Sequence, residues 1–553
     1  MDLFIGLSAE LQEMVISHLS MHTCFVCLQV CRTWFTIFAP PIWESIEALD
    51  LPTFNAAQRF YRLKKSIQSD DGAAIQKYGH LIRTLDTRYL SVVDLIVKND
   101  PAQTCAHLRK LVVHPKADPR IPPAFRASEA ATKKSSVHVQ KAAIAALLRY
   151  NRSLRTLSLH QEAGHPDVGE DGKPVEPSWM GALPESLECL VLNTPCFETY
   201  QPPISVAHTP SNLRPSPRIL IHLQKLIIQG PYINGCIRLE LLRRSPNLEV
   251  LRLHIREDPL DPCSAISDVL YTHCPKLKAM RVDGHPSDKS LSLLLKSSAA
   301  GWKSFMCDGS SGFFGNLSVK ALLDHAATLE NVRLEGCTAF TSTKIQKFLC
   351  SAPNLRRFHG ISINRLDEKD LALAADELIL SEWVCADLES FACKITRVPR
   401  PDLRRRTNGR PLTSAMHTTG TIEASYRLQR RVYEQLGRLT KLRHLVLGGD
   451  IGLNGEKNVD LTRREKANER EYFTTMNWQA GYQYECLSMT LESGLDLLKG
   501  LKELRTVVVE GMATGLLNPT ERDWRREHWP LLETGKLFVN GYFSDPFWSL
   551  FLE

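Results

Sequence analysis

The sequence predicts an α/β fold, with a small helical block at the N-terminus followed by a long array of repeated short strands and helices. Three observations carry this expectation. A string of the form L-x-x-L-x-L, or a close variant, recurs along the 553-residue chain; helical apolar patterns fall between its copies; and prolines halt those patterns shortly before the next copy. A chain several times the usual domain size is expected to hold either several domains or one repetitive array.

The N-terminal block is read from "LSAELQEMVISHLSMHTCFVCLQVCRTWFTIFAPPIW", residues 7 to 43. Leu11, Val15 and Leu19 recur at four-residue spacing with Met14 and Ile16 alongside, which predicts a helix over 9–19 capped by Ser8, with Glu10 and Glu13 near its positive end. Cys24, Cys27, Leu28, Cys31 and Phe35 share one stripe of a second helix over about 24–34, and Pro40 and Pro41 are expected to end the pattern. His22, Cys24, Cys27 and Cys31 contain a C-x-x-C, but a zinc site needs a second ligand pair on a separate turn, and none lies nearby. Buried thiols acting as small hydrophobes explain the spacing. So few residues cannot hide this much apolar surface internally, which predicts an interface.

The strings begin at Leu108, Leu154, Leu187, Leu223, Leu248, Leu277, Trp302, Leu329, Leu355, Leu388, Leu442 and Leu504. From Leu187 to Leu388 the steps are 36, 25, 29, 25, 27, 26 and 33 residues, mostly within or near the spacing of leucine-rich repeats. Each string suits a short strand with alternate residues inward; Ile266 and Leu270, Leu322 and His325, and Ile345 and Leu349 mark helices between them. "SPNL", "CPKL" and "SAPNL" stop helices at Pro246, Pro275 and Pro353. Cys337 stands where such repeats carry Asn or Cys. Stacked units of this kind form a solenoid, a horseshoe whose strands line a concave face suited to protein ligands.

Residues 115–137, 161–186 and 195–217 are rich in Pro, Gly and polar residues and read as loops. Residues 394–410, "KITRVPRPDLRRRTNGR", are strongly basic and read as a mobile solvated loop, with an acidic partner, nucleic acid or nuclear import as the other readings. No aromatic residue is interleaved there for base stacking, so nucleic acid is disfavoured. Leu428, Val432 and Leu436 predict a helix, "CLSMTL" from Cys486 a further strand-like run followed by a helix near Glu492, and the aromatic tail around "HWPLL" a cap on the last repeat. The organisation expected is a helical domain over 1–50, a helical linker and entry to the solenoid over 51–104, repeats with loop insertions over 105–393, a basic flexible loop over 394–427, and terminal repeats with an aromatic cap over 428–553.

Composition narrows the function classes. A hydrophobic fraction of 43% and a charged fraction of 23% suit a folded soluble protein, and 68 Lys+Arg against 61 Asp+Glu is too dilute an excess to imply nucleic acid. Fifteen scattered cysteines read as reduced thiols, and neither a secretory signal nor an apolar run long enough to span a membrane is present, so the expected compartment is the cytoplasm or nucleus. "GEDGKP" lacks the P-loop spacing, "GSSG" at 309–312 is not G-x-S-x-G, and H-E-x-x-H is absent. The expectation is a non-catalytic protein with no metal and no cofactor.

Leu7, Glu10-Leu11, Ile16, Leu19, Val30-Cys31-Arg32, Trp34 and Ile42-Trp43 resemble the F-box pattern, with Ser8 replacing the usual proline and Cys24 the usual leucine. Together with the repeats and the "HWPLL" ending, the chain is similar to F-box/leucine-rich-repeat proteins of filamentous fungi. That resemblance implies a substrate-recognition subunit of an SCF-type ubiquitin ligase, whose F-box docks on a Skp adaptor and through it a cullin, while the repeats hold a target protein. It also implies that Leu7, Leu11, Ile16, Leu19, Val30, Trp34 and Trp43 form the F-box fold and the adaptor contact. The rival expectation is a repeat scaffold without ubiquitin transfer; a GTPase regulator or a nucleic-acid protein is a third.

Overall fold

A computed structural model describes residues 4, 6–46, 78–87, 96–97, 106–113, 144–160, 179–193, 218–230, 235–255, 263–308, 314–337, 339–361, 371–401, 420–447, 486–509 and 519–532. Most of the loops expected over 115–137, 161–186 and 195–217, the segment 402–410 and the last residues of the tail lie outside these. The fold is mixed α/β with parallel strands, and the chain divides into two compact units, Met1–Leu251 with Thr272–Lys276, and Arg252–Tyr271 with Leu277–Glu553.

The first unit opens with α1 (Ala9–Ser17), α2 (Met21–Cys27) and α3 (Arg32–Trp43). Ser8 caps α1 as expected, its Oγ accepting from Leu11 N at 3.5 Å, and Ser20 caps α2 in the same way. Two departures from expectation follow. The single helix expected over 24–34 is broken, because Cys31 adopts an extended backbone (φ −163°, ψ 172°) and starts α3 afresh. Pro40 and Pro41 do not end α3, which runs on to Trp43. Neither proline has an N–H to donate to the turn before it, yet the helix closes beyond them, Glu44 N donating to Pro40 O at 2.7 Å.

The strands β1 (Ser45–Ile46), β2 (Thr84–Thr87), β3 (Lys110–Val113), β4 (Thr156–His160), β5 (Cys189–Asn193) and β6 (Lys225–Gln229) pair in chain order, all parallel. Leu85, Leu111, Leu157, Leu190 and Leu226 form one fully buried row, and the leading Leu108, Leu154, Leu187, Leu223 and Leu248 are fully buried as well. Helix α4 (Gly235–Arg243) precedes β7 (Val250–Ile255), and both β7 and α5 (Cys263–His273) contribute residues to each unit. β1 follows α3 directly, inside the stretch expected as the helical domain, and β2 lies in the expected entry to the solenoid; α3 packs on β1 and on the turn at Gly79–Leu81.

In the second unit β8 (Ala279–Gly284), β9 (Ser304–Asp308), β10 (Asn331–Glu335), β11 (Arg357–His359), β13 (Ser390–Ala392), β15 (His444–Val446) and β16 (Thr506–Val508) pair in that order, while β12 (Ala372–Ala374) and β14 (Lys394–Thr396) form a separate pair. All are parallel. Between them lie α6 (Asp288–Leu295), α7 (Asn316–Leu323), α8 (Ser342–Leu349), the short α9 (Ala375–Leu378) and α10 (Ile422–Gly437), and α11 (Pro519–His528) comes last. Every predicted string thus contains a strand. The strand-facing core row runs Met280, Phe305, Val332, Phe358, Phe391, Leu445 and Val507, all buried. Phe340, Phe348, Phe358 and Phe391 continue it as a chain of rings with centroids 6.0, 6.1 and 6.0 Å apart.

Two devices stitch successive repeats. A single carbonyl accepts two consecutive N–H groups of the next strand: Arg109 O from Arg155 and Thr156, Glu330 O from Arg356 and Arg357, and likewise elsewhere. The polar residue before the leading leucine reaches back to the previous repeat: Ser186 Oγ donates to Arg152 O and Leu154 O, Thr328 Oγ1 to Trp302 O and Asn354 Nδ2 to Ala327 O, at 2.6, 2.8, 2.9 and 2.7 Å. These bonds occupy carbonyls at exposed and half-buried joints between repeats.

Residues 394–401 are not the start of a mobile loop. Lys394–Thr396 is a strand, Ile395 and Val398 are buried, and Arg400 Nη1 donates to Cys486 O at 3.1 Å. Residues 422–427 lie in α10. "CLSMTL" is not a strand either: it is held on α10 by buried side chains, with Gln429 Oε1 accepting from Ser488 N and Tyr433 Oη from Met489 N at 2.7 and 3.1 Å. The helix expected near Glu492 is a 3-10 turn, Leu495–Gly500. Trp529 of "HWPLL" is buried, its Nε1 donating to Leu498 O at 3.2 Å.

Candidate interaction surfaces

The N-terminal helices sort the seven expected adaptor residues into three groups. Leu7, Leu11 and Val30 point outward, with exposures of 36%, 45% and 41%. Ile16, Leu19 and Trp34 pack instead on a small core of Cys24, Cys27 and Phe38, where Trp34 lies 5.7 Å from Phe4 and 5.4 Å from Phe38 between ring centroids. Trp43 serves a joint, its ring stacked on Tyr78 at 4.9 Å, with Phe35 on the same tyrosine at 5.7 Å. Met14, Val15 and Val26, at 58%, 40% and 52% exposure, join the outward group although they were not among the expected site residues. The signal was present: Met14, Val15 and Ile16 wrap α1 with more apolar surface than one stripe needs.

Isolated exposed leucines and valines are ordinary, but this many on two adjoining short helices are not. Glu10 and Glu13 on α1 and Arg32 on α3 flank them. A backbone hydrogen bond, then one from Ser8, holds the Glu10 carboxyl below its ordinary pKa.

Cys24 and Cys27 belong to the core. Burial foremost, then the neighbouring Cys27, raises the Cys24 thiol pKa, which suits packing rather than nucleophilic chemistry. Cys31 is exposed at the α3 cap. Among the described residues no group of three His, Cys, Asp or Glu gathers as a metal would require, and no helix is long and apolar enough to cross a membrane.

The second candidate surface is the strand face opposite the core. In the first unit Thr84, Lys110, Thr156, Cys189 and Lys225 occupy one cross-strand row; Lys110 is exposed and the others half-buried. In the second unit the row in the same register, Ala279, Ser304, Asn331, Arg357, Ser390, His444 and Thr506, is half-buried at Asn331, Arg357 and His444 and buried elsewhere, while the row on the other side of the core residues, Arg281, Met306, Arg333, His359, Ala392, Val446 and Val508, is buried throughout. There Asp283 accepts from Arg252 Nε at 2.6 Å and Arg281 Nε at 2.8 Å. Burial raises its pKa, but Arg281 and Arg252 outweigh burial and hold it below the ordinary aspartate value.

A polar chain also lies on the first unit's strand face. Asn193 Nδ2 donates to His160 Nδ1 at 3.3 Å, so the imidazole proton sits on Nε2 and is given to Ser158 Oγ at 2.8 Å. A serine that receives this proton is not activated as a nucleophile.

The chain matches no protein-family model and no curated protein.

Proposed function

We propose that this protein is the substrate-recognition subunit of an SCF-type ubiquitin ligase, in which the N-terminal helices are an F-box that docks on a Skp adaptor and the strand–helix array is a leucine-rich-repeat receptor for a target protein. The chain supplies no reacting group. It acts by tethering, which raises the effective concentration of target lysines near a charged conjugating enzyme carried by the cullin. One observation carries the reading: Leu7, Leu11, Met14, Val15, Val26 and Val30 stay outward while Ile16, Leu19 and Trp34 close a core beneath them. An apolar face supported by its own small core is preorganised for a partner.

The test is co-purification of a Skp adaptor with the full chain, compared with Leu11→Ser and Val15→Ser together. Adaptor recovery that falls with the double variant, while the thermal melt is unchanged, supports the reading. No adaptor recovered with the natural chain leaves a protein-binding scaffold without ubiquitin transfer.

A further inference from the structure

We propose that the outer edge of β16 is a strand-docking surface whose occupant is the chain's own residues 534–538, "TGKLF", laid alongside it as one further parallel strand. The inference is independent of the ligase reading. Residues 533–553 lie outside the described residues, and two described features carry the case: the turn at Leu532 and the burial of β16.

Many repeats enter their strand through one turn, in which the leading residue's N–H donates to the carbonyl three positions before it. Leu248 N bonds Ser245 O at 3.2 Å, Leu388 N bonds Cys385 O at 3.2 Å and Leu504 N bonds Leu501 O at 3.3 Å, and the residue giving the carbonyl is buried each time. Leu532 N closes the same turn on Trp529 O at 3.1 Å, and Trp529 is buried. The sequence repeats the rest of the entry. Pro530 stands two positions before Leu532, as Pro246, Pro275 and Pro353 stand before Leu248, Leu277 and Leu355, and Leu532 follows Leu504 by 28 residues, a repeat-length step. Helix α11 precedes this turn as α8 precedes β11. The "HWPLL" stretch therefore has the form of an entry to another strand.

β16 is buried as a covered strand would be. Among the described residues its one strand partner is β15. Thr506 N donates to Arg443 O and Val508 O accepts from Leu447 N, so these two residues turn their backbone groups toward β15, and the alternation of a strand turns those of Val507 and Val509 outward. Yet Thr506, Val507, Val508 and Val509 are all buried. Buried backbone groups are almost always paired, so these outward ones call for a ladder partner. The chain alone supplies the burial, which favours an occupant of its own over a second copy or a target strand.

The register follows from the strands before it. Residues two after each leading position are aligned, Ser390 with His444 and His444 with Thr506, which aligns Thr506 with Thr534. Arg443 O accepts from Arg505 N at 2.8 Å and from Thr506 N at 3.1 Å, so Arg505 O is the carbonyl for Glu533 N and Thr534 N. In the same ladder Val507 N donates to Thr534 O, Lys536 N to Val507 O, and Val509 N to Lys536 O. Gly535 takes the inward place beside Val507, and Leu537 the one beside Val509, where it supplies the apolar contact.

The test is amide hydrogen exchange of the full-length chain, resolved to single residues, for the natural protein, Lys536→Pro and Gly535→Pro. A proline at 536 removes the N–H that bonds Val507 O, whereas the Gly535 N–H faces away from β16, where an edge strand tolerates proline. Lys536→Pro is expected to speed exchange at Val507 and Val509 about tenfold or more, and Gly535→Pro less than about threefold. Thr506, bonded to Arg443 O, reports whether the repeat stays folded. Fast exchange at Val507 and Val509 in the natural chain, or equal effects of the two prolines with Thr506 still protected, overturns the proposal. Protection that rises with protein concentration gives the edge to a second copy, and protection that appears only with an added partner gives it to a target strand; either result also overturns it. If Lys536→Pro exposes Thr506 as well, cross-linking decides. Under copper–phenanthroline oxidation, Thr506→Cys with Thr534→Cys is expected to yield that disulfide on peptide mapping, because aligned neighbours lie about 4.8 Å apart, within disulfide reach. Thr506→Cys with Phe538→Cys, offset by four residues, is expected to yield none, and equal yields from the two pairs overturn the assignment.

Discussion

Asp288, the first residue of α6, caps the helix of the next repeat through Ser318: its Oδ1 accepts from Ser318 N at 2.8 Å and from Ser318 Oγ at 2.6 Å, while Gly315 N and Leu317 N donate to the same carboxylate at 3.0 Å each. Four donors at the start of α7 thus converge on one anion, where the helix dipole favours negative charge. Asp288→Ala should cost about 1–3 kcal/mol, read as a denaturant midpoint shift at constant slope. Gly315→Ala should be destabilising too, because a Cβ there runs into the Asp288 carboxylate. The pH dependence has a definite sign. Burial opposes ionisation of Asp288, but the hydrogen bonds from Ser318, Leu317 and Gly315 outweigh it and lower the pKa. A lowered folded-state pKa means stability that is present above the unfolded aspartate value and lost as pH falls through the folded one. Asp288→Ala should therefore flatten the acid limb of the stability curve.

His325 gives the opposite residue type with the same direction of loss. Its Nε2 donates to Leu295 O at 2.9 Å, and burial holds its pKa below 6.5, against the raising effects of that carbonyl and of Asp324. The folded state prefers the neutral ring. Stability from this site is present above the unfolded pKa and falls as pH drops below it toward the folded value. His325→Gln should remove that slope between about pH 6.5 and the acid limb set by carboxylates, as measured by thermal melts in a buffer series.

The N-terminal helices should separate folding from binding. Trp34→Ala opens a gap between Phe4 and Phe38 and should cost about 2–4 kcal/mol, at the lower end of aromatic truncations because the ring is only half-buried. Trp43→Ala removes the ring stacked on Tyr78, so faster hydrogen exchange is expected around β1 and the turn at Gly79–Leu81. Leu11→Ser and Val30→Ser, both at exposed positions, should leave the melt within about 0.5 kcal/mol while reducing adaptor recovery. A large loss of stability from Leu11→Ser would contradict this division.

Much of the array was legible because its signal is periodic. The leucine leading each string falls in the buried position before a strand, and the alternation within "LEVLRL" places Leu251 and Leu253 in the core. The stitching residues stand in "SPNL" and "SAPNL", where the proline carries the local helix-stop signal while Asn247 and Asn354 do the joining, to Ile221 O and Ala327 O, through contacts remote in sequence. Composition misled in the basic segment: the charge of "KITRVPR" suggests a solvated loop, but Ile395, Val398 and the buried Arg400 are tertiary contacts no local pattern reveals. In the candidate adaptor surface, motif position could not tell Leu11, facing outward, from Trp43, stacked on Tyr78, because Tyr78 is remote in sequence. The charged row from Lys110 to Lys225 needs the strand register before its members become neighbours.

The strand that failed to form at "CLSMTL" gives the last expectation. Tyr433 is fully buried in α10; its Oη accepts from Met489 N at 3.1 Å and lies 3.2 Å from Met489 Sδ, and burial raises the phenol pKa. Met489 itself sits at φ +51°, a left-handed conformation that a methionine adopts only when its surroundings hold it there. The phenol and Gln429 supply that hold, satisfying the backbone of Ser488 and Met489 with side chains where a strand would have used a neighbouring ladder. Tyr433→Phe keeps the ring and removes the acceptor, leaving the Met489 N–H buried and unpaired. It should cost about 1–3 kcal/mol, and Gln429→Ala a comparable amount. Because both act on one short segment, the double variant should cost less than their sum; full additivity in a double-mutant cycle would show that the two side chains hold it independently.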